Sequence, residues 1–332
     1  MTDPSNDIMP IFNPHWFLRN GHVQSILASS HLLIRPRSEF QKTADPMIFS
    51  TSEGSKLLAR HTRHPHAIGL MILLHGWEGS DTSAYMLSAG SHFYRSGFSV
   101  IRLNLRDHGE SHHLNEGMFH GALINETFDA IHQAAKTAPD LPVYLLGFSL
   151  GANFALRCAI RHATTPIENL KQVFAVSPPL DPYKTTLAID SAPAIYRKYF
   201  LKKWKRSLRI KQRLFPDTYA FNALLESQTC LDLTEKMMKY FPQFPSYRDY
   251  FKLYTLTKDS FADLNLPVSL FIAKDDPVIP ADDFDSLTEN DLFRINRSEY
   301  GGHCGFIDLF PQRRWYNEII RNIIVSPSMD TK

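Results

Sequence analysis

From residue 69 onward the chain alternates short apolar runs with longer stretches whose apolar positions recur every three or four residues. The first kind predicts strands buried on both faces, the second amphipathic helices. "GLMILLHG" (69–76), "FSVIRLNL" (98–105), "LPVYLLG" (141–147) and "LKQVFAVSPP" (170–179) read as strands. "AYMLSAGSHFYRSG" (84–97), "INETFDAIHQAAKTA" (124–138) and "GANFALRCAIRHA" (151–163) read as helices, the first stopped by Gly97. Strand and helix in this alternation predict an α/β fold, a mostly parallel central sheet flanked by helices with right-handed crossovers.

The rhythm breaks over 182–262, a stretch rich in Tyr, Phe, Lys and Arg with no run of buried-strand character. It resumes in "LPVSLFIAKDDPVIP" (266–280) and "DLFRINRSEYGGHCGF" (291–306), and "PQRRWYNEIIRNIIV" (311–325) reads as a closing helix. The pattern therefore predicts one α/β unit over 1–332 with a helical lid inserted at 182–262, a length that such folds carry in one piece.

Composition narrows the classes. A net charge of +2 argues against nucleic acid as the main partner. Cys158, Cys230 and Cys304 form no CxxC pair and are too scattered for a disulfide framework or a zinc site, which fits a reducing compartment. The first residues, "MTDPSNDIMPIFNP", lack the basic and apolar regions of a signal peptide, and no window approaches 18 consecutive apolar residues. The expectation is a soluble, cytoplasmic protein.

The chemistry centres on "GFSLG" (147–151), a G-x-S-x-G pattern at the predicted junction of strand and helix. A serine presented at the tip of a buried strand needs a turn too tight for side chains on either side, so Gly147 and Gly151 are conditions for exposing Ser149. A hydroxyl also needs a base, and the base a group to orient it. The order nucleophile, acid, base places both downstream. Asp275 and Asp276 follow a strand, and His303 lies in a glycine-flanked loop. Asp276, which opens the D-P-V-I-P run, is the choice of acid, with Asp275 as the alternative. An oxyanion would be held by the amide after the nucleophile, Leu150, and by the amide of Trp77 in "HGWEG" (75–79), with His75 orienting that loop.

HGWEG, GFSLG, DDPVIP and GGHCGF, in that order, resemble the α/β-hydrolase superfamily. "NGHVQSIL" (20–27) is similar to the N-terminal motif of the YheT-like hydrolases, whose eukaryotic relatives are ABHD-type acylglycerol lipases and esterases. The resemblance runs from about residue 14 to 325. It implies a carboxylic ester hydrolase acting on a small-molecule acyl or lipid-like ester, without metal or organic cofactor, in which Ser149, Asp276 and His303 act together. Acyl transfer by the same residues and a catalytically inactive binding protein are the alternatives, and the substrate-binding residues and oligomeric state stay open.

Two further features ask for a role. His108, His112, His113 and His120 cluster in what reads as a surface loop, without the converging framework of a metal site. "YRKYFLKKWKRSLRIKQRLF" (196–215) predicts a basic amphipathic helix, read as a solvated lid helix or as a transient contact with an anionic membrane surface.

Overall fold

The computed structural model describes residues 11–34 and 38–325. Residues 1–10 of the stretch on which the leader reading rests, and both ends of the 1–332 unit, lie outside the described residues.

Eight strands form the main sheet among these residues: β1 (Ala44–Ser50), β2 (Lys56–Thr62), β3 (Gly69–Leu74), β4 (Phe98–Leu103), β5 (Val143–Phe148), β6 (Leu170–Val176), β7 (Val268–Ala273) and β8 (Phe293–Ser298). Their order is β1-β2-β4-β3-β5-β6-β7-β8, parallel from β4 to β8, with β2 antiparallel to β4. Every residue of β3, β4 and β7 is buried, as the unbroken apolar run of β3 predicts, and Ser99, Arg102 and Ser269 are buried with the rest. Side chains of β3 alternate between two cores: Leu70, Ile72 and Leu74 face one, Met71 and Leu73 the other.

The helices that flank this sheet are α1 (Gly21–Ser29), α2 (Glu39–Lys42), α3 (Ala84–Arg95), α4 (Ile124–Lys136), α5 (Leu150–His162) and the closing α11 (Trp315–Val325). Phe128, Ile131 and Ala134 of α4 and Phe154 and Leu156 of α5 fill the first core, while Phe93 of α3 and Tyr316 and Ile320 of α11 fill the second. Between β6 and β7 lie α6 (Pro182–Ser191), α7 (Ala194–Leu214), α8 (Asn222–Leu225), α9 (Cys230–Met237) and α10 (Tyr247–Lys252). Residues before 69, which the apolar pattern leaves unassigned, supply α1, α2 and the β1–β2 hairpin. A small hairpin, β9 (Ile307–Leu309) and β10 (Gln312–Arg314), follows the His303 loop.

The winding places the site. From β3 the chain steps to β4 on one side and then crosses to β5 on the other, so the carboxyl ends of β3 and β5 diverge around a crevice. HGWEG leaves β3 at this point and Ser149 leaves β5.

Candidate active site

Ser149 caps α5 with φ 51° and ψ −121°, a left-handed conformation costly for a residue with a Cβ. The glycines around it are obligatory: a Cβ on Gly147 would lie 2.3 Å from the Gly151 carbonyl oxygen, and one on Gly151 would lie 2.4 Å from that of His75. Glu78, Ser177 and Cys304 near Ser149 also have positive φ, so the backbone around the crevice is held in strained conformations.

The structure brings Ser149, His303 and Asp276 into one hydrogen-bonded line. Ser149 Oγ lies 2.9 Å from His303 Nε2, and His303 Nδ1 lies 2.9 Å from Asp276 Oδ2. Asp276 Oδ1 accepts the N–H groups of Val278 at 2.8 Å and Ile279 at 3.0 Å. Its side chain is 3% exposed and that of His303 14%, so little water competes for either. Burial of the ring opposes its charge, but the Asp276 carboxylate, with a lesser contribution from Cys304, outweighs burial and raises the imidazole well above the ordinary 6.5. Asp275 lies one residue away and does something else: its Oδ1 accepts the Gly302 N–H at 2.8 Å.

The HGWEG loop is pinned at three of its five amides. Tyr85 Oη accepts the Gly76 N–H at 3.0 Å, His108 Nε2 accepts that of Glu78 at 3.1 Å, and Gly76 O accepts that of Gly79 at 2.9 Å. The Trp77 N–H has no acceptor among the described residues, and the Leu150 N–H opens α5, where no preceding turn supplies one. These are the two amides named from the sequence. His75 ties the loop down: Nε2 accepts the Leu105 N–H at 3.1 Å, so Nδ1 carries the proton and donates to Gly76 O at 2.8 Å. Burial lowers its pKa to about 4, keeping it neutral.

The surface-loop expectation holds for His113, which is exposed, but not for His108 and His112. His108 is 3% and His112 7% exposed, because the helix α7 covers them. His108 anchors Glu78, His112 pairs with Ser207 at 2.7 Å, and His120 sits between the rings of Phe241 and Phe244. Among the described residues no three His, Cys, Asp or Glu side chains are grouped to hold a metal ion. Sequence reasoning gave Tyr85, His108, Ser25 and Ser177 no role at the site; His108 drew attention through the histidine cluster and Ser25 through "NGHVQSIL", and no signal marked Tyr85 or Ser177.

Two cavities meet at Ser149. One, with about 810 Å³ of space including its mouth, is apolar and aromatic, lined by Ile189, Trp204, Met237, Phe241 and Tyr254. The other, about 590 Å³, is bounded by α1 and α7 and lined by His31, Ser83, Tyr199 and Lys203. Trp77 and Phe200 line both, stacked with ring centroids 5.3 Å apart, and form the partition.

Helix α7 holds that partition. It carries nine basic and no acidic residues, but the expectation of a simply solvated helix needs correction at four of them. Arg197 donates to Asp190 O, Lys203 to Glu78 O and Lys205 to Ser227 O. Lys211 is 2% exposed and pairs with Asp107 at 2.8 Å. The other five, Lys198, Lys202, Arg206, Arg209 and Arg213, are exposed and spaced to share one helix face.

A doubly wound sheet with a serine, an imidazole and a carboxylate aligned at its switch point defines the hydrolase class of α/β proteins. The chain belongs to the α/β-hydrolase family: the sequence model described as "alpha/beta hydrolase fold" matches residues 69–308. It is 23% identical over 265 residues to a monoacylglycerol lipase of Saccharomyces cerevisiae, covering 75% of this chain and 57% of that protein. It is 29% identical over 135 residues to human Protein ABHD15, covering 39% of this chain and 28% of that protein. The chain thus matches little over half the length of the yeast relative and about a quarter of the human one. Among solved structures, the Pyrococcus furiosus esterase Pf2001 superimposes with a TM-score of 0.57 at 16% identity, covering 88% of this chain and 94% of that one.

Proposed function

We propose that the protein is a serine hydrolase that cleaves carboxylic esters bearing an apolar acyl group. The observation that carries this reading is the Ser149–His303–Asp276 line, with each contact at 2.9 Å. Ser149 Oγ attacks the ester carbonyl as His303 Nε2 takes its proton, while Asp276 fixes the Nδ1–H tautomer and stabilises the charged ring. The Trp77 and Leu150 amides, near the N-terminus of α5, receive the developing oxyanion. His303 returns the proton to the leaving alcohol, then activates water to release the acid from the acyl-enzyme.

The two cavities differ in a way that supports separate seats for the two halves of the substrate. The aromatic cavity suits the acyl chain, and the cavity with Lys203, His31 and Ser83 suits a polar alcohol. The lipase activity named for the yeast relative and the esterase activity named for the structural neighbour are in keeping with this substrate class. No helix of the described residues is long and apolar enough to cross a membrane. We propose that the exposed basic face of α7 instead rests on an anionic lipid surface.

The test is labelling by a fluorophosphonate probe, together with hydrolysis of p-nitrophenyl esters of increasing chain length. Wild type is expected to label and to turn over esters, and Ser149→Ala to do neither. Equal activity in Ser149→Ala would sink the mechanism. Met238→Trp, which narrows the acyl cavity, should lower kcat/KM for long chains while sparing acetate.

A further inference from the structure

Helix α1 lies upstream of the residues that match the family, yet it is built into the seat of His303. Ser25 Oγ accepts the His303 N–H at 2.8 Å and donates to Gly21 O at 2.6 Å, so its one proton is committed and its lone pair faces the loop. Gln24 brackets the other end of that loop, donating through Nε2 to Ile307 O at 2.9 Å and accepting the Ile307 N–H through Oε1 at 2.8 Å. Both side chains are buried, Gln24 fully. The helix also abuts the acid-bearing loop, since a Cβ on Gly21 would lie 1.9 Å from the Asp275 carbonyl oxygen. Asn20 caps the helix by accepting from His22 and Val23, which explains the order Asn-Gly-x-x-Gln-Ser.

The loop needs this support. Gly302, Cys304 and Phe306 all have positive φ, and the two non-glycine residues among them hold that conformation only where neighbours over-determine it. Consecutive amides are gripped from opposite sides, His303 by Ser25 and Cys304 by Ser177 Oγ at 3.1 Å.

We propose that Ser25 is a positioning residue: through the His303 amide it fixes the ring so that Nε2 stays in line with Ser149 Oγ. It touches no reacting atom, and the inference rests on the reading of Ser149 as nucleophile. Loss of the hydroxyl leaves substrate binding intact and disturbs proton transfer, so the effect falls on kcat and not on KM.

The experiment compares full-length wild type, Ser25→Ala, Ser25→Cys and Ser25→Thr in ester hydrolysis, fluorophosphonate labelling and thermal unfolding. Ser25→Ala should lose roughly ten- to hundredfold in kcat, the range expected when a catalytic group is displaced by less than an ångström or so. Its KM should stay within about twofold, the mark of an interaction that acts on the chemical step. Ser25→Thr, which keeps the hydroxyl, should restore most of the rate. Should the alanine variant fold poorly, Ser25→Cys, with a weak acceptor of similar size, should show the kcat loss at an unchanged Tm. Wild-type kcat in a folded alanine or cysteine variant, or a threonine variant as slow as alanine, overturns the proposal. Failure of the wild type to label would instead overturn the reading of Ser149, so the two failures are distinguishable.

Discussion

The Asp276 carboxylate is divided between His303 and the backbone: Oδ2 lies 2.9 Å from His303 Nδ1, and Oδ1 accepts two amides from its own loop. Asp275 instead accepts the Gly302 N–H. Asp276→Asn keeps the shape but presents an amide that favours the wrong imidazole tautomer, so kcat for a p-nitrophenyl ester should fall on the order of 10⁴-fold. Asp275→Asn retains the acceptor oxygen for Gly302, and the loss should stay within about tenfold, the scale of one weakened neutral hydrogen bond. The opposite ranking would transfer the acid role to Asp275.

The same contact sets a pH dependence. In the proposed mechanism His303 must be neutral to accept the Ser149 proton, and Asp276 outweighs burial to raise its pKa well above the ordinary 6.5. Activity should therefore rise with pH through a limb that lies above 6.5 in kcat/KM. Stability runs the other way: with the folded pKa above the unfolded one, the pair's contribution is full below the unfolded value and fades as pH rises through the folded value. An NMR titration of His303 in wild type and Asp276→Asn separates these effects. The asparagine variant should titrate at lower pH, and an unchanged midpoint would refute the carboxylate as the cause.

Lys211 and Asp107 fasten α7 to the loop that follows β4. Both are nearly inaccessible, and the Lys211 ammonium also reaches carbonyl oxygens of Asn115 and Gly117. Burial raises the Asp107 carboxyl to about 6 despite its partner, a sign of how far the pair is removed from water. Asp107→Ala leaves a cation buried without its counter-ion and should cost about 3–5 kcal/mol in chemical denaturation. Asp107→Ala combined with Lys211→Met should recover most of that loss, because no isolated charge remains. Additive losses in the double variant would show that the two residues do not act as a pair.

The legible parts of this molecule were those written in local periodicity. Residues 69–74 are apolar throughout because both faces of β3 are buried, and GFSLG is recognisable because the elbow excludes any Cβ at its flanking positions. The β1–β2 hairpin escaped because only Phe49 of β1 is buried, so an edge strand has no apolar run to declare it. The role of Ser25 escaped for another reason: its partner His303 lies 278 positions along the chain, and no local pattern encodes that contact. The burial of His108 and His112 depends likewise on where α7 comes to rest.

The exposed face of α7 makes a final prediction. Lys198, Lys202, Arg206, Arg209 and Arg213 share a face with no acid in the helix to offset them, and Ile195 and Tyr199 are exposed at its first turns. A basic face next to apolar side chains favours an anionic lipid surface over a neutral one. Each charge held near such a surface contributes about 1 kcal/mol, so removing three should weaken binding on the order of a hundredfold. Co-sedimentation with phosphatidylglycerol vesicles should therefore be strong for wild type and weak for Lys202→Gln/Arg209→Gln/Arg213→Gln. Binding should also fall as salt rises, since exposed charges are screened. None of the three substituted residues lines the two cavities at Ser149, so hydrolysis of a dissolved short-chain ester should be unaffected. Equal binding to phosphatidylcholine vesicles, or no change in the triple variant, would remove the membrane role from α7 and leave it as the support of the Trp77–Phe200 partition.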